Sequence, residues 1–221
     1  MPLRLRDDLY FCICSGRAVF LDVGADRYFQ LPVHQDLAFQ RFASGQAPQP
    51  GDETTLEAMA ISGLMVDAHH GARTFSPVTV SPPMAEIDPM LSMARLTDRL
   101  AALLSVHRAR RALAKRPLKN LFNTMSRSSA ALVPDRIEDW TAVNRVAAAF
   151  AVNGIIIRRQ DQCLPLSIAF KHLCLARRTP TTLVIGVKLD PFVAHCWIQR
   201  DEYVVNDTLE RVRLFTPILA L

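Results

Sequence analysis

The hydrophobic positions of this chain change period several times, and each change marks an element. Near the N-terminus, apolar residues cluster in three short runs, residues 9–14, 18–22 and 27–31, separated by Ser15-Gly16 and by Val23-Gly24-Ala25-Asp26. Each break supplies small or turn-permissive residues, so the pattern predicts a three-stranded meander ended by Pro32. The spacing then lengthens to that of a helix. Val33, Leu37, Phe39 and Phe42 predict a short helix stopped by Ser44-Gly45. Leu56, Met59, Ala60 and Leu64 predict a second, starting near Asp52 or Thr54, with Glu53 and Glu57 suited to its N-terminal end.

The Pro-rich segment 76–83 disfavours helix and separates this part from the rest. Beyond it, Met90, Leu91, Ala94, Leu96, Leu100, Leu103, Leu104 and His107 form a stripe at helical spacing. They predict one long helix or two over residues 87–120, broken at Pro117. The polar tract NTMSRSSA reads as a loop, and IEDWTAVNRVAAAF as a helix with Trp140, Val143, Ala147 and Phe150 on one side, ended by Asn153-Gly154. A further helix is expected over CLPLSIAFKHLCLARR. Pro165 is tolerated only in a first helical turn, so that helix must begin within a residue or two of Cys163. Three strand-like runs follow: TLVIGVK, FVAHCWIQ and EYVVND.

Composition adds bounds. With 221 residues, half of them hydrophobic, the chain can bury two cores. No stretch approaches the roughly 18 uninterrupted apolar residues of a membrane span, and the N-terminal apolar run is too short for a signal peptide. The expected compartment is the cytoplasm, which suits five scattered cysteines, an odd number. The overall charge of +5 conceals an asymmetry: residues 1–80 hold 6 basic and 9 acidic side chains, net −3, and residues 81–221 hold 20 and 12, net +8. Two domains are therefore expected, 1–80 and 81–221. The basic cluster Arg108, Arg110, Arg111, Lys115, Arg116 and Lys119 reads as a solvated helix face. It has no interleaved aromatics, which argues against nucleic acid.

The candidate chemistry lies between residues 163 and 207. A thiol at a helix start is favoured as thiolate by the partial positive charge and unpaired N–H groups there, which makes Cys163 the candidate nucleophile. Strand parity puts His195, Trp197 and Gln199 on one face and Cys196 and Ile198 on the other, so Cys196 should be a packing thiol. Cys174 lies about 16 Å along the helix from Cys163 and cannot bridge to it, and His172 is expected at the surface. Parity also argues against a zinc site shared by Cys163, His195 and Cys196. A three-residue connection Arg200-Asp201-Glu202 would set Asp207 directly opposite His195; a two-residue loop would turn Asp207 away. In that arrangement Asp207 orients the imidazole of His195, and His195 activates Cys163 and protonates the leaving amine. The Cys163 backbone N–H is the first oxyanion candidate, and Gln160 or Gln162 could add a side-chain amide. Trp197 either shields the triad or packs in the core. No phosphate-binding glycine loop occurs, and no cofactor or metal is expected in this chain.

Two resemblances follow from these motifs. The meander with its aromatic third strand Arg27-Tyr28-Phe29-Gln30-Leu31 and the helices after it resemble the precursor-peptide recognition element of ribosomally made, modified peptide pathways, a small winged-helix-like module. The resemblance implies that a leader peptide adds as a strand to the meander edge, near Tyr28, Phe29 and Leu31 and beside Leu56, Met59 and Ala60. The pattern C-L-P-L-S-I-A-F, T-L-V-I-G-V-K, F-V-A-H-C-W-I-Q, V-V-N-D resembles the B protein of lasso-peptide biosynthesis in its undivided form. Its C-terminal half is a transglutaminase-like cysteine protease. Together they imply an α+β chain, a winged-helix-like domain followed by a papain- or transglutaminase-like protease of helices and antiparallel sheet. The implied activity is leader peptidase, with Cys163 as nucleophile, His195 as base and acid, and Asp207 as its partner. The implied partners are the precursor peptide and an ATP-dependent macrolactam synthetase, ATP belonging to the synthetase. The sequence departs from that family at Cys196, where Ala is common, and at Gln199, where Glu is usual. A transglutaminase-type acyl transferase and a non-catalytic peptide-binding scaffold remain as alternatives.

Overall fold

The computed structural model describes residues 3–67, 77–132, 140–154 and 162–221. The chain divides into two compact units, Met1–Thr79 and Val80–Leu221, each mixing helix with sheet.

In the first unit, β1 (Leu3–Leu5) pairs with β5 (Met65–Asp67), while β2 (Leu9–Cys14), β3 (Arg17–Asp22) and β4 (Arg27–Gln30) form an antiparallel meander in that order. The β2–β3 link is the two-residue turn Ser15-Gly16. Both residues have positive φ, the conformation that matches the twist of the flanking strands. Helices α1 (Val33–Ala43) and α2 (Asp52–Ile61) follow. The core gathers Leu9, Phe11, Phe20, Leu31, Phe39, Leu56, Met59 and Met65, with the rings of Phe11 and Phe39 edge to face at 4.9 Å.

The inward face of α1 differs from the expected stripe: Val33 and Leu37 are exposed, and Asp36 is buried in their place. Asp36 turns inward because its carboxylate accepts the Ala18 backbone N–H at 3.0 Å and pairs with Arg17 at 2.5 Å. Cys12 and Cys14 are both buried free thiols, and burial pushes Cys12 up to about 12.

The second unit begins with β6 (Ala85–Glu86), then α3 (Leu96–Lys115), α4 (Leu118–Ala130), α5 (Thr141–Asn153) and α6 (Cys163–Ala176). Next come β7 (Thr182–Lys188), β8 (Val193–Arg200), β9 (Tyr203–Val204), α7 (Leu209–Val212) and β10 (Thr216–Ala220). The sheet order is β10-β7-β8-β9-β6, antiparallel except where β6 meets β9. Among the described residues, no helix is long and apolar enough to cross a membrane.

Two expectations for the helices fail. The tract expected to be a loop forms the end of α4, because Leu118, Leu121, Phe122 and Met125 build a buried stripe at helical spacing that its serines obscure. In α3 the large side chains face outward: Leu96, Leu100 and Leu104 are exposed, while Ala102, Val106 and Ala109 are buried. Small residues there let α3 lie close against α6, and Ser105 Oγ donates to the Ala169 carbonyl at 3.1 Å. Asp98 ties the helices together, accepting from Arg145 and from Arg177, each at 2.7 Å.

On the other face of the sheet, Trp197, Val184, Val204, Val212 and Phe215 form a second apolar layer. Gly186, opposite His195 in the β7–β8 ladder, makes room for it: a Cβ there would stand 2.9 Å from Phe215 and from Trp197. Gly186→Ala is expected to cost about 1–3 kcal/mol of stability through overpacking, read from the urea midpoint. Gln199 is also buried on this face. Its Nε2 donates to the carbonyls of Ser81 and Asp201, 2.6 Å each, and its Oε1 accepts from Trp197. A carboxylate has no proton to give either carbonyl, so Gln199→Glu is expected to destabilise the unit by about 1–3 kcal/mol in the same measurement.

Candidate active site

Helix α6 starts at Cys163, with Pro165 in its first turn and the first helical hydrogen bond running from Leu166 N–H to the Gln162 carbonyl at 3.1 Å. Cys163 Sγ is half-buried, hydrogen-bonded to His195 and within reach of the backbone N–H groups of Leu164 and Cys196. The Leu164 donor comes from the helix start. The Cys196 donor exists because β9 is too short to cover that part of the β8 edge, so a strand N–H is left for the sulfur.

Two more side-chain contacts satisfy the same uncovered edge, and a third joins them to each other. Asn206 Oδ1 accepts the Ile198 N–H at 2.7 Å, Ser167 Oγ donates to the Cys196 carbonyl at 3.1 Å, and Asn206 Nδ2 donates to Ser167 Oγ at 3.1 Å. Together they stitch the start of α6 to the chain leaving β9. Neither Asn206 nor Ser167 stands out in the sequence reading. The available signal was an asparagine, a poor strand former, interrupting the run EYVVND just before Asp207.

The β8–β9 register corrects the expected hairpin. The connection has two residues, Asp201-Glu202, and pairs Gln199 with Val204 and Arg200 with Tyr203. By parity alone Asp207 should turn away, yet its Oδ2 lies 2.6 Å from His195 Nε2. The ladder ends at β9, and the chain bends through Val205 and Asn206, so parity no longer governs Asp207. Its other oxygen, Oδ1, accepts the Thr208 N–H at 2.8 Å. Since Nε2 belongs to Asp207, Nδ1 is the ring nitrogen left for the thiol.

The electrostatics follow from this geometry. Burial opposes a charged Cys163, but the His195 hydrogen bond and charge, with the two backbone donors, bring the thiol below its ordinary value. Burial likewise opposes a charged His195, yet its bonds to Asp207 and Cys163 outweigh it and raise the imidazole above its usual value. Asp207 is held below the usual carboxylate range: burial pushes it up, and the His195 and Thr208 bonds more than offset that. These shifts together favour a thiolate–imidazolium pair. Trp197 stacks beyond the histidine at 6.1 Å and Phe215 lies at 5.0 Å. Trp197 is fully buried, so it backs the imidazole as core.

The other sulfurs stand apart from this chemistry. Burial pushes Cys174 up to about 12 and also raises Cys196, whose side chain is buried. His172 lies exposed on α6. Gln162 turns its side-chain carbonyl to Arg110 of α3, and Gln160 lies outside the described residues. In the first unit, Leu31, Leu56 and Met59 are buried in the core, whereas Tyr28, Phe29 and Ala60 are half-buried. A cleft of about 280 Å³ opens at Cys163, His195 and Asp207.

A sheet carrying the histidine, an aspartate on the chain leaving that sheet, and a helix that starts at a cysteine define a thiol-site fold, and residues 87–220 match the family model of the transglutaminase-like superfamily. The match covers more than half of the chain, which belongs to that superfamily. The chain is also similar to the microcin J25-processing protein McjB of Escherichia coli, 38% identical over 48 residues. Those residues are 22% of this chain and span only 23% of that protein. No solved structure matches the chain.

Proposed function

We propose that the chain is a cysteine peptidase that removes the leader from the precursor of a lasso peptide. The observation that carries this reading is the relay from Asp207 through His195 to a thiol on the first residue of a helix. The similarity to a microcin-processing protein supports a peptide precursor of that kind as the substrate. In the reaction, Cys163 Sγ attacks the scissile carbonyl and a carbon–sulfur bond forms. The oxyanion falls to the Cys163 backbone N–H, which belongs to a first turn whose N–H groups have no helical acceptor. His195 Nδ1–H protonates the leaving amine as the C–N bond breaks. The neutral imidazole then takes a proton from water, whose hydroxide releases the acid and regenerates the thiol.

Residues 1–80 serve this reaction as the leader-binding, winged-helix-like module, with β4, the edge strand of the meander that carries Tyr28 and Phe29, as the site where the leader adds as a strand. The partners are the precursor and an ATP-dependent macrolactam synthetase. The setting is the cytoplasm, consistent with five free cysteines. The test incubates the protein with a leader-bearing precursor, the synthetase and ATP, and follows mass. Release of the leader as a free acid supports hydrolysis, an amine adduct indicates the transglutaminase-type transfer, and leader binding without processing leaves a scaffold.

The pH dependence has a fixed sign. The active pair needs Cys163 ionised and His195 protonated. kcat/KM should therefore rise through a thiol value below the ordinary 9.0 and fall through a histidine value above the ordinary 6.5, giving a bell in a pH–rate series. A single rise at the value of a free thiol would contradict the ion pair.

A further inference from the structure

The β8–β9 ladder stops at a defined point, and the groups that stop it lie beside the thiol. Continuing the register that pairs Gln199 with Val204 would set Ile198 opposite Val205 and Cys196 opposite Asp207. In an antiparallel ladder such pairs exchange both of their backbone hydrogen bonds. Among the described residues one of these four bonds forms, from the Val205 N–H to the Ile198 carbonyl at 2.9 Å. Side chains take the remaining groups of β8. The Ile198 N–H goes to Asn206 Oδ1 at 2.7 Å, the Cys196 carbonyl to Ser167 Oγ at 3.1 Å, and the Cys196 N–H to the Cys163 sulfur. Ser167 is fully buried one turn after Cys163 on α6, and its oxygen also accepts from Asn206 Nδ2 at 3.1 Å. The hydroxyl and the amide therefore hold each other while they occupy the strand edge. Asp207 comes next in the chain, past the bend at 205–207, with its carboxylate 2.6 Å from His195.

We infer that Ser167 and Asn206 are positioning residues of the thiol site: as one clasp they stop the ladder short, so that the Cys196 N–H serves the Cys163 sulfur and the Asp207 carboxylate serves His195. The inference rests on the thiol-peptidase reading and adds two residues outside the triad on which its chemistry depends. Their action is indirect, through a backbone donor and a carboxylate. Were the ladder to continue, the Asp207 carbonyl would take the Cys196 N–H from the sulfur, and strand parity would turn the Asp207 side chain away from His195. Loss of the clasp thus weakens both supports of the thiolate–imidazolium pair at once. The other charged groups lining the cleft, Glu86, Asp88 and Arg211, are unchanged by substitutions in the clasp.

The test follows the rate of iodoacetamide alkylation against pH in the full chain, with labelling at Cys163 located by peptide mass. In Ser167→Ala and in Asn206→Ala the midpoint of the profile is expected to rise by about one pH unit, so that labelling well below the midpoint slows roughly tenfold. Because the two side chains act as one clasp, the double variant should move no further than either single variant. Met125→Ala, which empties a buried position of α4, reports what loss of stability alone does, and its midpoint should stay at the wild-type value. Wild-type midpoints in both single variants, shifts that add in the double variant, or an equal shift in Met125→Ala would each overturn the inference. The wild-type profile separates its failure from that of the peptidase reading. A wild-type midpoint at the value of a free thiol removes the thiol site and the clasp together; a lower one that the clasp variants leave in place removes the clasp alone.

Discussion

Cys163→Ala is expected to abolish leader release from the precursor in the presence of synthetase and ATP, a loss of about 10⁴-fold or more that brings cleavage to background. The size of the effect follows from the chemistry: without sulfur no acyl intermediate forms, and what remains is whatever acceleration the oxyanion donor and binding supply to water. The fold should survive. Cys163 is half-buried at the end of α6, and its methylene remains in alanine. Leader binding, measured by fluorescence anisotropy with a labelled leader peptide, should therefore persist in the variant. Undiminished cleavage by Cys163→Ala would sink the thiol mechanism outright.

Asp207→Asn is expected to lower kcat/KM by about 10²–10⁴-fold with little change in stability. The amide is isosteric, but its NH₂ can donate to His195 Nε2, which forces the ring proton onto Nδ1, the nitrogen that must accept the thiol proton. The charge that raises His195 is lost as well. The readout that separates this from mere structural damage is the pH profile of iodoacetamide alkylation, which should move to higher pH as the thiolate loses its imidazolium partner. An Asp207→Asn protein with wild-type alkylation pH dependence would show that the carboxylate does not tune the pair.

Much of this arrangement was legible from local signals. Pro165 can stand only in a first turn, so it located the start of α6 at Cys163 without any tertiary information. Alternation along β8 separated His195 from Cys196, and the buried, high-pKa thiol of Cys196 agrees with that separation. The turn residues Ser15-Gly16 marked the first hairpin of the meander. Other features were hidden because they depend on neighbours remote in the chain. The stripe read on α3 contained leucines at helical spacing, yet the surface it meets is α6, and close approach favours Ala102, Val106 and Ala109 over larger side chains. The serines of α4 suggested a loop, and burial of Leu118, Leu121, Phe122 and Met125 prevailed over that composition.

The meeting of Asp207 with His195 shows where the division falls. Residue order and periodicity determine a thiol at a helix start and a histidine on a known face of a strand, because helix entry and strand parity are set by bonded geometry over a few residues. They do not determine where a ladder stops. The two-residue connection after β8 gives the register that parity says should turn Asp207 outward. The carboxylate reaches His195 because β9 ends early and Asn206, held by Ile198 and Ser167, carries the chain around the uncovered edge. That ending is a competition between strand backbone and side chains from α6 for the same N–H and carbonyl groups, and only the packed structure brings both contestants to one edge.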